Sequence, residues 1–331
     1  MLDSLRSGTE EVPWPPSLET LRTAADLVHR HVGATAQIRW PLLAARCGAE
    51  VWLKHENHTP IGAFKVRGGL VYMDRLRRAH PDVTGVLTAT RGNHGQSVAF
   101  AAGAHGLSAV VIVPHGNNPE KNAAMEALGA ELVVHGADFQ EAYEHAATLA
   151  AERRLHMIRA FHPWLVEGVA TYALELFRAV PDIDTVYVPI GQGSGICGTI
   201  AARDAMGLKT KVVGVVSAHA AAYALSFEAG RPVSTNAADT IADGVACRVP
   251  DPTALSIILG GADRVVTVTD DEVVAAMRHL LSDTHNMAEG AGAVPLAALL
   301  KEKQRMSGRR VAVILSGGNA DAALLKRVLA T

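Results

Sequence analysis

The sequence predicts an α/β protein built on two open, mostly parallel sheets, one large and one small, each covered by helices. Three observations predict it. Short β-branched runs alternate with Ala-rich stretches of helical periodicity along the chain, the pattern of parallel strands joined by crossover helices. Each β-branched run ends in Gly, Pro or a polar turn, as strands closed by loops do. The length of 331 residues is enough for one large unit with a smaller lobe, because a single core stops growing near that size.

The first element is a helix over residues 17–32, introduced by Pro15 and Pro16 and followed by a loop over 33–39. A short strand over 50–54 then alternates apolar and polar positions. Strands over 83–89, 108–113 and 131–135, separated by helices over 96–105 and 120–128, form a compact set that reads as the small unit. The Ala-rich helix around 142–153 is amphipathic, and packing on that sheet explains it better than a membrane or partner surface. Around 159–164 the chain returns to the first unit, whose sheet is completed by strands over 185–190, 211–216, 264–268 and 310–315. The expected division is 1–83 plus 164–331 for a large domain, with 84–163 inserted as a small one. No repeat, low-complexity tract or Pro/Gly-rich linker marks the boundaries. The short stretch after Asn319 is expected to leave no room for an added regulatory domain.

Composition narrows the function classes. Hydrophobic residues make up 49%, charged residues 19%, and the formal net charge is -2, which argues against disorder and against a polyanion-binding surface, so nucleic acid is not an expected partner. Cys47, Cys197 and Cys247 are odd in number and lack metal-ligand spacing, which fits structural thiols in a reducing compartment. Residues 1–16 carry Asp3, Glu10 and Glu11 and no apolar run of signal length, and no later segment approaches the roughly eighteen uncharged residues of a membrane span. A soluble, cytoplasmic protein without membrane contact is the expectation.

Four segments carry chemistry. In Glu56-Asn57-His58-Thr59-Pro60-Ile61-Gly62-Ala63-Phe64-Lys65-Val66-Arg67, Lys65 sits at a turn-to-helix junction among apolar neighbours. Desolvation lowers a lysine's pKa and makes the amine able to form a Schiff base with an aldehyde cofactor, although a solvated lysine at a helix start is the plainer reading of this segment alone. His55 and His58 in the same run lack the order of a helical zinc site and read as loop residues. The second segment, Thr88-Ala89-Thr90-Arg91-Gly92-Asn93-His94-Gly95-Gln96, is a polar turn entering an Ala-rich helix, where backbone amides hold an anion such as a substrate carboxylate. Asn93 is placed there to donate to a phenolate oxygen; a plain capping turn is the even alternative.

The third, Ile190-Gly191-Gln192-Gly193-Ser194-Gly195-Ile196-Cys197-Gly198, is a strand-to-helix turn whose unhindered amides make a phosphate cradle. Residues 193–198 also match the dinucleotide fingerprint G-x-G-x-x-G, so a nicotinamide oxidoreductase competes here. That reading requires an acidic residue ending the next strand, and the strand over 211–216 runs instead into Ser217, Ala218 and His219. The fourth, Leu315-Ser316-Gly317-Gly318-Asn319, offers a hydroxyl suited to a neutral hydrogen bond with a pyridine nitrogen, and taken alone is simply a turn.

These four pieces, in this order, resemble the fold-type II (tryptophan synthase β-like) pyridoxal-phosphate enzymes, and within them the serine/threonine dehydratase and serine racemase group. The resemblance spans roughly residues 21–321, and its specificity comes from joint occurrence. Thr240-Ile241-Ala242-Asp243-Gly244-Val245 and Glu289-Gly290-Ala291-Gly292 look like the segments that flank substrate and pyridine ring in that family. The resemblance implies pyridoxal 5'-phosphate as cofactor, Lys65 as its attachment point and as the base at the α-carbon, and Phe64 packed on the ring. It implies Asn93 at the phenolic oxygen, Gly191, Gln192, Gly193, Ser194 and Gly195 at the phosphate, and Ser316 at the ring nitrogen. Thr90, Arg91, Gly92, His94 and Gly244 are implied to face the substrate. The implied roles of the two domains are cofactor binding for the large one and substrate gating for the small one.

The implied reaction is dehydration and deamination of a β-hydroxy amino acid to a 2-oxo acid and ammonia, acting on serine, threonine, 3-hydroxyaspartate or a bulkier relative such as phenylserine. β-Replacement is the rival inside the enzyme class, and a non-catalytic member of the fold is discouraged by the presence of Lys65, Asn93 and Ser316. A homodimer or homotetramer is implied by the family. Three positions depart from its pattern. Gln192 and Ser194 interrupt an all-glycine phosphate loop, with side chains either projecting outward or altering phosphate contacts. Ser217 and Tyr223 stand where metal-binding members carry carboxylates, so no metal is expected there. Arg91 replaces the serine that racemases place opposite the lysine; arginine lacks the pKa for that proton transfer, so elimination is expected over racemisation. Arg91 either meets a second carboxylate, lines an enlarged pocket, or forms a salt bridge on the lobe surface.

Overall fold

The computed structural model describes residues 4–7 and 10–330. Asp3 lies outside the described residues. Strands β1 (Ser4–Ser7) and β2 (Glu10–Pro13) pair antiparallel. Helix α1 (Leu18–Val28) starts at Ser17, whose side chain accepts from the Thr20 N–H. It stops short of the expected residue 32 because His29, Arg30 and His31 lie outside its apolar stripe, stay exposed and turn toward Gly33.

The expected loop over 33–39 hides an edge strand, β3 (Gln37–Arg39), antiparallel to β4 (Glu50–His55). Three residues are too few to carry a period. Between them α2 (Pro41–Cys47) begins on a proline and ends at Gly48 in the left-handed region, the usual asymmetry of a short helix. Helix α3 (Lys65–Ala79) follows.

The small sheet takes the order β7-β6-β5-β8, with all neighbours parallel. Its elements in sequence are β5 (Gly85–Ala89), α4 (Asn93–Ala104), β6 (Ser108–Val113), α5 (Pro119–Ala127), β7 (Glu131–Val134), α6 (Phe139–Arg153) and β8 (His156–Met157). β8 is an addition to the three strands read from the sequence. Met125, Val98 and Ala101 fill one face of this sheet, and Ala142, Ala146 and Leu149 of α6 fill the other. The Ala-rich helix thus packs on the sheet as its amphipathicity requires.

The remaining elements are α7 (Pro163–Ala179), β9 (Thr185–Pro189), α8 (Ser194–Ala205), β10 (Lys211–Ser217), α9 (Ala222–Ala229), α10 (Pro252–Gly261), β11 (Arg264–Val268), α11 (Asp270–Thr284), α12 (Gly290–Lys301), α13 (Lys303–Met306), β12 (Arg310–Leu315) and α14 (Ala322–Ala330). They complete a large sheet of order β11-β10-β9-β12-β4-β3, parallel except at β3. Val186, Val188 and Val212 face a core shared with α7 and α8, while Tyr187, Val213 and Val215 face one shared with α11 and α12. Among the described residues no helix is long and apolar enough to cross a membrane. Cys47, Cys197 and Cys247 are free and buried, and burial pushes the Cys47 thiol up to about 12 and the Cys247 thiol up to about 11.

Two features seat α3 against the large unit. Gly68 approaches α7 so closely that a Cβ there would stand 2.8 Å from the Leu165 carbonyl oxygen, and one on Gly168 would collide with the Arg67 carbonyl. Beside this crossing, the buried Arg67 guanidinium donates to Glu56 Oε2 at 2.7 Å and to Glu175 Oε1 at 2.6 Å, and Lys54 Nζ donates to Glu175 Oε2 at 2.6 Å. Two cations and two carboxylates neutralise one another there, which is the condition under which buried charges persist.

Candidate active site

The parallel strands β4, β9 and β12 lie side by side, so the loops leaving their C-terminal ends share one edge of the large sheet. The loop after β5 faces the same space from the small sheet. A cavity of about 900 Å³ results, lined from all four segments and also by Gly244, Glu289 and Ala291. Carboxyl ends of parallel strands are where open α/β sheets place ligands. Every residue expected at the cofactor or the substrate lines this cavity: Phe64 and Lys65, Thr90 to His94, Gly191 to Gly195, Gly244 and Ser316.

Lys65 is the first residue of α3. Its Nζ donates to Ser194 Oγ at 2.9 Å and lies 5.0 Å from the centroid of the Phe64 ring. No carboxylate among the described residues pairs with it, and burial pulls the amine down to about 8. A helix N-terminus also disfavours a cation, so both effects act toward the neutral, nucleophilic form. The plain reading of a solvated surface lysine is therefore set aside. What remains exposed of the side chain faces the cavity.

Helix α4 begins at Asn93, three residues earlier than the periodicity of its Ala-rich part indicates. Asn93 and His94 consequently sit in its first turn, where amides lack helical partners. Thr90 Oγ1 accepts from the Gly92 N–H at 3.1 Å and shapes the turn. His94 is buried, its Nε2 has no hydrogen-bond partner among the described residues, and burial, reinforced by Lys65, drives its pKa to about 3. The imidazole is neutral with one ring nitrogen free.

The loop after β9 is built for close approach to an anion. Gly193 has φ +100°, and α8 opens at Ser194 with its free amides. A Cβ on Gly191 would collide with the Gly244 carbonyl, and one on Gly195 would touch the Phe64 ring at 3.7 Å. Gln192 turns away to donate to Cys247 Sγ at 3.6 Å, whereas Ser194 turns inward and meets Lys65. Of the two non-glycine side chains in this loop, Gln192 is held by Cys247 and Ser194 by Lys65. Tyr223 donates to the Gln192 carbonyl at 3.2 Å and accepts from the Asp251 N–H at 3.1 Å, bracing the loop from outside. β10 ends at Ser217, whose hydroxyl accepts from the His219 N–H, so the strand after the fingerprint at 193–198 ends on a hydroxyl where a dinucleotide site needs an acid.

Ser316 is buried at the end of β12, and its carbonyl accepts from the Phe64 N–H at 3.0 Å, tying this loop to the one that carries Lys65. The same loop brings Asn319 beside Asn93. Asn319 Nδ2 donates to Asn93 Oδ1 at 2.8 Å and to the Ile61 carbonyl at 2.9 Å, while Asn93 Nδ2 donates to Glu289 Oε1 at 2.6 Å. Sequence reasoning quoted Glu289 and Asn319 within motifs and gave neither a role. A lone carboxylate heading the apolar run Gly290-Ala291-Gly292-Ala293-Val294 was the available signal for Glu289.

Arg91 lines the cavity, and no ion pair or hydrogen bond of its side chain is formed among the described residues. The surface salt bridge is thus not its role. Arg159, Phe139, Tyr143 and Phe161 also line the cavity; they come from the start of α6 and from the stretch after β8, neither of which carries a motif. Residues 87 and 157 are register partners in β5 and β8, which brings Arg159 out beside the turn that holds Arg91.

A family model described as pyridoxal-phosphate dependent enzyme matches residues 28–317. An L-threonine ammonia-lyase of Thermotoga maritima is 33% identical over 312 residues, covering 94% of this chain and 76% of that protein. An L-threonine ammonia-lyase of Geobacter sulfurreducens is 36% identical over 303 residues, covering 91% of this chain and 75% of that protein. The crystal structure of a T.th. threonine deaminase superposes with a TM-score of 0.86 at 33% identity, covering 92% of this chain and 99% of that one.

Proposed function

Since the chain belongs to the pyridoxal-phosphate dependent enzyme family, we propose that it dehydrates and deaminates a β-hydroxy amino acid, releasing a 2-oxo acid and ammonia. The observation that carries this reading is the meeting of Lys65, Asn93, the 191–195 loop and Ser316, from four separate segments, in one cavity. These residues fit the cofactor chemically. A buried amine lowered to about 8 suits an aldehyde, and a left-handed Gly193 ahead of α8 suits a phosphate. When bound, the cofactor supplies an electron sink for charge building on the substrate's α-carbon.

The chain's own groups do the rest. Lys65 Nζ moves the proton at the α-carbon, and Ser194 Oγ, 2.9 Å away, holds that amine in place and accepts its hydrogen bond. Asn93 donates to the phenolic oxygen, and Ser316 presents a neutral hydroxyl to the ring nitrogen where an Asp would enforce a charge. Thr90, Gly92 and the first-turn amides of α4 bind the substrate carboxylate. Arg91, at the position where racemases of the group carry a serine, lacks the pKa to reprotonate the second face, which favours elimination over racemisation. Water is lost from the α and β carbons, and the enamine so formed becomes an imine that water hydrolyses to the 2-oxo acid and ammonia.

The division into a large domain (1–83 plus 164–331) and a small gating domain (84–163) belongs to the same proposal, as do a cytoplasmic location and a homodimer or homotetramer. Free buried cysteines support a reducing compartment. Exposed Ile38 and Leu42 on the β3–α2 edge support self-association.

The test is a panel of serine, threonine, 3-hydroxyaspartate and phenylserine, scored for 2-oxo acid and ammonia with purified protein. At least one reacts, and Lys65→Ala removes both the activity and the visible absorbance that borohydride abolishes in the wild type. A colourless protein inert toward the whole panel overturns the proposal.

A further inference from the structure

Asn93 can do its work only if its amide faces the right way, because one end donates and the other accepts. The orientation is dictated from a distance. The Ile61 carbonyl is an acceptor and nothing else, so the end of Asn319 facing it is the nitrogen, and that same nitrogen gives its other N–H to Asn93. Asn93 must then present Oδ1 to Asn319 and Nδ2 to Glu289. The flipped amide would set two donors together at Asn319 and oxygen against oxygen at Glu289. Asn93 Nδ2 carries two hydrogens, and Glu289 takes one of them at 2.6 Å. The second has no partner among the described residues, on a side chain that lines the cavity.

We propose that Ile61, Asn319, Asn93 and Glu289 form a directional hydrogen-bond relay in which Asn319 and Glu289 are positioning residues, locking the free Asn93 N–H toward the oxygen that the cofactor presents beside Lys65. The inference rests on the cofactor reading above and deepens it. Neighbouring atoms are shaped around the relay. Gly62, at φ +66°, has no side chain where one would collide with Asn319 Oδ1, and a Cβ on Gly317 would collide with Glu289 Oε1. Glu289 is 6% exposed, and burial pushes its carboxyl up while Lys121 and the Asn93 bond oppose this and Asp243 adds to it. Either protonation state of Glu289 keeps an oxygen that accepts from Asn93, so the relay's direction does not depend on its charge.

The experiment compares Glu289→Ala, Glu289→Gln, Asn319→Ala and the double variant Glu289→Ala/Asn319→Ala as purified, cofactor-loaded proteins. The readouts are cofactor Kd and the absorbance spectrum, with circular dichroism confirming the fold. Each alanine variant weakens cofactor binding about tenfold, the scale of one hydrogen bond, and moves absorbance from the visible band to the near ultraviolet, because an oxygen deprived of its donor retains a proton. The double variant is no worse than about tenfold, since both residues act through one amide. Glu289→Gln keeps the acceptor and holds Kd and spectrum within about twofold of wild type. Asn319→Asp, which keeps the shape and loses the donor, behaves as Asn319→Ala and replaces it if that variant fails to fold. A wild-type spectrum in the Asn319 variants, multiplicative losses in the double variant, or a Glu289→Gln as impaired as Glu289→Ala overturns the relay. A wild-type protein that binds no pyridoxal phosphate overturns instead the reading on which it rests.

Discussion

Lys65 shows how burying an amine costs stability at a single residue. Its amine, pulled from 10.5 to about 8, is charged at neutral pH in a place that disfavours charge. Between those two values the unfolded chain binds more protons than the folded one, so stability of the cofactor-free protein rises with pH across that window, and the penalty is full below about 8. Lys65→Met should therefore stabilise the cofactor-free protein by roughly 1–3 kcal/mol at pH 7, with the gain shrinking toward pH 10, as urea titration at several pH values will show. Uptake of pyridoxal phosphate by the cofactor-free wild type should accelerate as pH rises toward about 8 and level off above it, measured by stopped-flow absorbance. The sequence made Lys65, Asn93 and Ser316 legible because each sits in a segment with its own turn chemistry. It left Glu289 and Asn319 without roles, since their meaning is an orientation of Asn93 across 196 and 226 positions of chain that no local pattern encodes.

At the scale of elements, α3 is the component that carries the amine, and its seating against α7 is what fixes it. Gly168→Ala pushes a methyl into the Arg67 carbonyl and should cost about 2–3 kcal/mol, the usual penalty of an overpacked crossing, read from the urea midpoint. Arg67→Met leaves Glu56 without its cation and should cost about 3–5 kcal/mol by the same measurement. Burial pushes the Glu175 carboxyl up, yet Arg67 and Lys54 more than reverse this and hold it at about 2. Its contribution to stability is therefore complete above the ordinary 4.5 and is lost as pH falls toward 2. Parallel strands were legible wherever the run reached five or six residues, as in β5, β6, β9 and β12. β3 and β8, with three and two residues, exist through pairing with a neighbour rather than through a pattern of their own.

Across the whole molecule, the small sheet's helices touch the large unit through α4, which packs on α3, and through the first turn of α5. Asn118 Nδ2 donates to Asp321 Oδ2 at 2.6 Å, the Ala322 N–H donates to Glu120 Oε1 at 3.2 Å, and Lys121 pairs with Asp243 at 3.3 Å. These contacts are partly exposed, so they hold an arrangement rather than supply much stability. Asp321→Ala should raise KM several-fold with kcat reduced less and global stability changed by under about 1 kcal/mol, as expected if 84–163 gates the cavity. An unchanged KM in steady-state kinetics would detach that latch from catalysis.

The large sheet has its most distant strand in sequence at its centre: β12 lies between β9 and β4 and delivers Ser316 to the cavity. During synthesis from the N-terminus, β3 and β4 form one strand set and β9, β10 and β11 another, and the strand that lies between them in the sheet is made last. The ribosome must release residue 315 before the sheet can close, so from β9 onward the nascent chain carries two unpaired sheet edges where β12 will lie. The cavity is therefore complete only once translation has passed β12.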